Sequence, residues 1–218
     1  PQEIARADVQ RSAVALVDGL ADELRRLRAA EPHRLDRWRL RGPGLDRIWY
    51  NYASFGGDAR AAGRFHRWRD DHPGIFRSVA VNRLAYAAAG LQDLGAAVDG
   101  TLVAGSTRRL DVAACLFLNI PSYAGGQLRP AGTRADDGLC DVFAFPRGLG
   151  LGLALSGLRQ ARCLERGGRL IFQVHRSTFL QIDGEPRLAR AGRYLIRSEG
   201  SVRLLMHPPD QGSIDAGL

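Results

Sequence analysis

Residues 168–206 read GRLIFQVHRSTFLQIDGEPRLARAGRYLIRSEGSVRLLM, and their reading decides the fold. Four segments in them are strand-like: GRLIFQVHR (168–176), TFLQIDG (178–184), RYLIRS (193–198) and SVRLLM (201–206). Each is a short run with β-branched or aromatic residues, set off by Gly, Ser or Asp. Asp183-Gly184 is a favoured hairpin pair, and Pro186 stops the run after it. Asp183 and Glu185 flank the glycine. They fit an ordinary acidic turn, or two carboxylates set together for chemistry. If the side chains converge, their repulsion calls for a proton or a cation between them.

Working upstream, 139–145 (LCDVFAF), 111–120 (DVAACLFLNI) and 97–104 are further strand-like runs. Residues 149–164 read as a helix, with Gly167-Gly168 beyond its end. A helix over 79–89, closed by Gly90, and another starting at Asp58 and ending near His72-Pro73 interrupt the β pattern. Before them, 35–42 and 46–56 read as two strands joined by Gly-Pro-Gly. Residues 13–30 repeat Val14, Val17, Leu20, Leu24 and Leu27 at three- and four-residue steps, an amphipathic helix that Glu31-Pro32 ends. The expected fold is α+β: a β-rich, sandwich-like domain with a few inserted helices, preceded by an amphipathic helix. No repeat of 20–50 residues is visible, and the tail after Pro208-Pro209 is expected to fray.

The chain has 218 residues, 45% of them hydrophobic, enough for a substantial core. No apolar run reaches the ~18 residues that cross a bilayer. No signal peptide precedes the polar start, and a beginning at Pro1 suggests a piece of a longer chain. The net charge is +8, and all 31 basic residues are arginines. That bias fits GC-rich coding. It also fits attraction to phosphates or acidic lipid, for which the guanidinium fork is suited. The arginines are scattered and no nucleic-acid-binding pattern accompanies them, so nucleic acid is not expected as a partner. Cys115, Cys140 and Cys163 have no zinc spacing; the first two lie in apolar runs, as small core residues do. A reducing, cytoplasmic setting follows.

Among candidate sites, PRGLGLGLALSG (146–157) lacks the third glycine of a dinucleotide fingerprint, since Leu153 falls there. The five histidines are dispersed, and no serine lies in a nucleophile elbow. Two loops stand out. LNIPSYAGG (118–126) would leave backbone N–H groups and small side chains at a strand end, open to a ligand or simply a wide turn. DDGLCDVFAF (136–145) sets Asp136 and Asp137 before a strand, as hard oxygen ligands for Mg²⁺ or as an acidic turn.

Taken in order, LDRW (35–38), NYASFGGDAR (51–60), FHRWRDDHPGIFRSVAVNRLAY (65–86), LNIPSYAGG (118–126), DDGLCDV (136–142), QIDGEP (181–186) and MHPP (206–209) resemble the accessory domain of eukaryotic-type diacylglycerol kinases. The resemblance covers residues 35–209. Residues 1–34 then look like the last helix of a preceding catalytic domain, and 210–218 like a tail. It implies an enzyme that uses ATP and Mg²⁺ to phosphorylate diacylglycerol to phosphatidic acid in lipid signalling, cytoplasmic and peripherally bound to an anionic membrane surface. By that resemblance Asp183 is the candidate catalytic base, Glu185 lies near the nucleotide, and Asp137, with its neighbour Asp136, is tied to the metal.

Departures from the family pattern are visible too. The GGDGT loop of the catalytic domain does not occur in these residues, so this chain alone is expected to be inactive. Arg129-Pro130 stands where an aromatic is usual after NIPS, and Ala53 replaces a large aromatic in NYASFG. Two alternatives stay open: a non-catalytic lipid-surface module, and a sphingoid or other lipid kinase.

Overall fold

The computed structural model describes residues 17, 19–26, 28, 30–92, 95, 97–124, 126, 128–148 and 161–206. They fall into two compact units, 1–34 with 203–218 and Leu35–Val202. Of the first, residues 17, 19–26 and 28 are helical. Its apolar residues Val17, Leu20 and Leu24 are exposed. The expected frayed tail lies outside the described residues.

The strands form two six-stranded sheets. The first has the order β2 (Leu45–Trp49), β1 (Glu31–Gly42), β12 (Gly192–Met206), β9 (Arg169–Val174), β4 (Val98–Val103), β5 (Thr107–Val112). The second has the order β11 (Glu185–Ala189), β10 (Thr178–Ile182), β3 (Tyr52–Gly56), β6 (Ala114–Leu118), β7 (Cys140–Phe145), β8 (Cys163–Gly167). Trp38, Leu40, Trp49, Phe172 and Tyr194 from the first sheet meet Phe55, Phe117 and Leu180 from the second in one buried core. Trp38 stacks on Trp49 at 5.6 Å, and Phe55 sits edge-on to both Phe172 and Tyr194 at 5.1 Å. Such offset aromatic contacts add to the area they bury. The fold is therefore the expected α+β sandwich.

β6 is buried on both faces. Cys115 and Phe117 face the inter-sheet core, while Ala114, Leu116 and Leu118 join a second cluster with Tyr123, Leu128, Phe143 and Phe145. A strand covered on both sides reads as a continuous apolar run, which is how ACLFL appears in the sequence. Helix α1 (Gly57–Asp71) packs on β3, β10 and β11, and helix α2 (Val79–Gln92) packs on α1.

Several boundaries differ from expectation. The single strand 46–56 breaks at Tyr50-Asn51, where the chain leaves the first sheet and enters the second. The run 111–120 breaks likewise at Ala113, between β5 and β6. Ala113 N–H donates to Phe145 O and Ala113 O accepts Gly57 N–H, both at 2.8 Å, so tertiary partners set that corner. Cys163 and Leu164, read as the end of a helix, belong to β8; residues 149–160 lie outside the described residues. The expected pair 193–198 and 201–206 is one strand, β12, with Gly200 at φ 85 inside it. Strand β11, which holds Pro186, was not foreseen. Asp58 does not cap α1 from outside: Gly56 is the N-cap, and Asp58 turns inward from the first turn.

Candidate functional site

The β10–β11 hairpin closes through Asp183 and Gly184, with Ile182 paired to Glu185. Both turn residues have positive φ, 47 for Asp183 and 91 for Gly184, as a two-residue hairpin with the sheet's own twist requires. Asp tolerates the left-handed region better than most side chains. The Asp183 N–H donates to Tyr52 O at 2.9 Å. Its half-buried carboxylate accepts three backbone N–H groups: Tyr50 on Oδ2 at 2.9 Å, Asn51 on Oδ1 at 2.8 Å and Tyr52 on Oδ1 at 3.0 Å. Asp183 is thus clamped to the corner where the chain changes sheets. Glu185, across the turn, is exposed.

The same corner is gripped by Asn119, the fully buried asparagine of the LNIPS segment. Its Nδ2 donates to Tyr50 O at 2.6 Å and to Asp36 O at 3.1 Å, and its Oδ1 accepts Trp38 Nε1–H at 2.9 Å. Its own N–H donates to Asn51 O at 2.9 Å. Asp36, also buried, accepts the Gly138 N–H on Oδ2 at 2.5 Å, and its N–H donates to Ala135 O at 2.7 Å. Gly138 belongs to the second acidic turn. There Asp137 Oδ1 accepts the Leu139 N–H at 3.0 Å, and exposed Asp136 pairs with Arg134 at 3.1 Å. Asp183 and the Asp137 turn are therefore joined by one unbroken set of hydrogen bonds through Tyr50, Asn119 and Asp36. Neither Asn119 nor Asp36 stood out in the sequence as a site residue. The apolar run ending in Asn119 was a usable signal, since a buried amide there must find partners.

Beyond that string lie two more buried carboxylates. Asp141 accepts Thr133 Oγ1–H at 2.5 Å and Arg166 Nη2–H at 3.0 Å, and Arg166 Nε also binds it; Arg166 Nη2 donates to Gly132 O at 2.7 Å. Asp58 Oδ2 accepts Tyr123 O–H at 2.7 Å, Gln181 Nε2–H at 3.0 Å and the Ser54 hydroxyl. Burial pushes the Asp58 carboxyl up despite these donors. Tyr52, edge-on to Tyr123 at 4.8 Å, is pushed up to about 12, first by burial and then by Asp58 and Asp183. Cys115 and Cys140 are buried and free, and burial drives both thiols upward.

The four carboxylates expected at a metal and catalytic centre do not make a metal cage by themselves. Among the described residues no group of three or more His, Cys, Asp or Glu side chains could hold an ion. Asp136 faces Arg134, while Asp137 and Asp183 accept backbone N–H groups.

The family model for the diacylglycerol kinase accessory domain matches residues 48–186, more than half of the chain. The chain belongs to that family. Diacylglycerol kinase theta of Homo sapiens is 27% identical over 164 residues, covering 69% of this chain and 17% of its own length. Diacylglycerol kinase 2 of Arabidopsis thaliana is 29% identical over 230 residues, covering 91% of this chain and 32% of its own length. The chain thus spans a third or less of these curated relatives. A crystal structure of a diacylglycerol kinase from Bacillus anthracis is 9% identical, covers 81% of this chain and 55% of that one, and superposes with a TM-score of 0.47. No helix among the described residues is long and apolar enough to cross a membrane.

Proposed function

We propose that this chain is the accessory part of an ATP-dependent diacylglycerol kinase, working with a separate GGDGT-bearing catalytic domain to form phosphatidic acid. The observation that carries the reading is the clamped Asp183, a carboxylate fixed at the tip of a hairpin within the family-matched region. Phosphoryl transfer asks the protein mainly for positioning and charge. A proton acceptor must also stand within hydrogen-bond reach of the attacking hydroxyl. In our reading Asp183 takes the proton of the lipid hydroxyl, and exposed Glu185 faces the nucleotide from the same turn. Asp137 and Asp136 lie toward the metal, whose charge would neutralise the phosphates; the ligand set is completed outside this chain. The helical residues before Leu35 belong, in the same reading, to the catalytic domain, which would cover Val17, Leu20 and Leu24. The +8 charge supports approach to an anionic membrane surface.

The test is an assay of ATP-dependent diacylglycerol phosphorylation by this chain alone and joined to its catalytic domain. Activity is expected only in the joined protein and should vanish in Asp183→Asn, with folding followed in parallel. Full activity in the isolated chain, or an active Asp183→Asn enzyme, would overturn the assignment. A joined protein that phosphorylates nothing but binds anionic vesicles in a salt-sensitive way would establish the lipid-surface module instead.

A further inference from the structure

We propose that Asn119 is a positioning residue that sets the spacing between the Asp183 turn and the Asp137 turn. The inference rests on the kinase reading for its catalytic consequence, although its structural core does not. An asparagine side chain has two N–H donors and one carbonyl acceptor. Here both donors are spent on backbone carbonyls of different segments, Tyr50 at the corner between the sheets and Asp36 in β1. Each of those residues holds an acidic turn with its other polar groups. Tyr50 N–H donates to Asp183, and the Asp36 carboxylate accepts Gly138 N–H beside Asp137. One amide therefore stands between the two acidic turns.

The site is also built to keep that amide still. Asn119 has no exposed surface, and its Oδ1 is held by Trp38 Nε1, which belongs to the largest buried stack in the core. Its backbone N–H is fixed on Asn51 O, one residue from Tyr50. Rotation of the side chain would break three hydrogen bonds in a buried place, where unpaired polar groups are costly. Aspartate fits the same volume and could still accept from Trp38, but it would turn two carboxylate lone pairs onto the Tyr50 and Asp36 carbonyls. Asn119→Asp should therefore cut the link without emptying the site.

Hydrogen exchange on the 218-residue chain reads the link directly. In Asn119→Asp, amides 50–52 and 138–139 should exchange faster together, by roughly tenfold or more. In Thr133→Val, which loosens Asp141 but leaves Asn119 alone, amides 50–52 should be unchanged. Faster exchange in Asn119→Asp at only one turn, or at neither, overturns the inference. The second arm uses the protein joined to its catalytic domain, well below its melting temperature. There Asn119→Asp should lower kcat by about tenfold or more with KM for ATP within about threefold, because misplacement by a fraction of an ångström is felt in the transition state. Thr133→Val should leave kcat near the wild-type value. An unchanged kcat in Asn119→Asp, with an active wild type, overturns the positioning role. An inactive wild type overturns the kinase reading instead, while the exchange arm still decides whether Asn119 couples the turns.

Discussion

Asp183 and Asn51 are 132 positions apart in sequence, yet the Asn51 N–H donates to Asp183 Oδ1 at 2.8 Å. With the Tyr50 and Tyr52 N–H groups, this bond makes one side chain the cap of the corner between two sheets. Hydrogen bonds to a charged acceptor each contribute about 1.5–3 kcal/mol, although three on one group do not add fully. Asp183→Ala removes the acceptor and also places alanine at φ 47, a region that costs an alanine roughly 1 kcal/mol. Asp183→Asn keeps an oxygen acceptor and tolerates the same backbone. Urea unfolding of the chain should show a loss of about 3 kcal/mol for Asp183→Ala and about 1 kcal/mol for Asp183→Asn. Equal losses, or none, would mean that the corner is held by something else.

The second prediction concerns the other end of β3. Gly56 has φ 112, and a Cβ there would lie 2.3 Å from Ala113 O, a backbone atom fixed by the Gly57 N–H. Neither the backbone conformation nor the neighbour can yield cheaply. Gly56→Ala should cost roughly 3 kcal/mol or more, from the left-handed strain and the overlap together. Thermal unfolding would show a large drop in Tm or no cooperative transition. A Tm within a few degrees of wild type would contradict the close approach of β3 to the 113 corner.

These two positions also show what could be read in the sequence. Asp183-Gly184 is a turn because of its own chemistry, and the sequence displays it; the apolar runs of β6, β7 and β9 are visible for the same reason. The breaks at Tyr50-Asn51 and Ala113 carry weaker local marks. In WYNYASF Asn51 is the residue least suited to a strand, and the corner exists there because Asp183 and Asn119 hold it from remote parts of the chain. β11 was hidden by Pro186, tolerated because β11 is the edge strand of its sheet. Asp183 and Asp137 are expected as site residues from motif order alone. The residues that connect them, Asn119 and Asp36, look like an ordinary strand end and a surface acid until their partners are placed.

The third prediction turns on Asp58 and pH. Its carboxyl is buried among the Ser54 and Tyr123 hydroxyls and the Gln181 amide, with Tyr52 and Tyr86 nearby. Burial raises its pKa in the folded protein above the unfolded value, so folding favours the protonated form. The stability from that preference is fully present below the unfolded carboxyl pKa, and it is lost as pH rises through the higher folded value. Asp46 behaves oppositely: its hydrogen bond to Arg39 lowers its carboxyl to about 2, so its contribution is present above the unfolded value and lost in acid. Both wild type and Asp58→Asn carry Asp46, so comparing the two isolates Asp58. Asparagine imitates the neutral acid and still offers an oxygen to the three donors. Tm measured from about pH 4 to pH 8 should show Asp58→Asn close to wild type in acid and increasingly more stable toward neutrality. A difference that stays flat, or that favours wild type as pH rises, would show that Asp58 is held ionised in the fold.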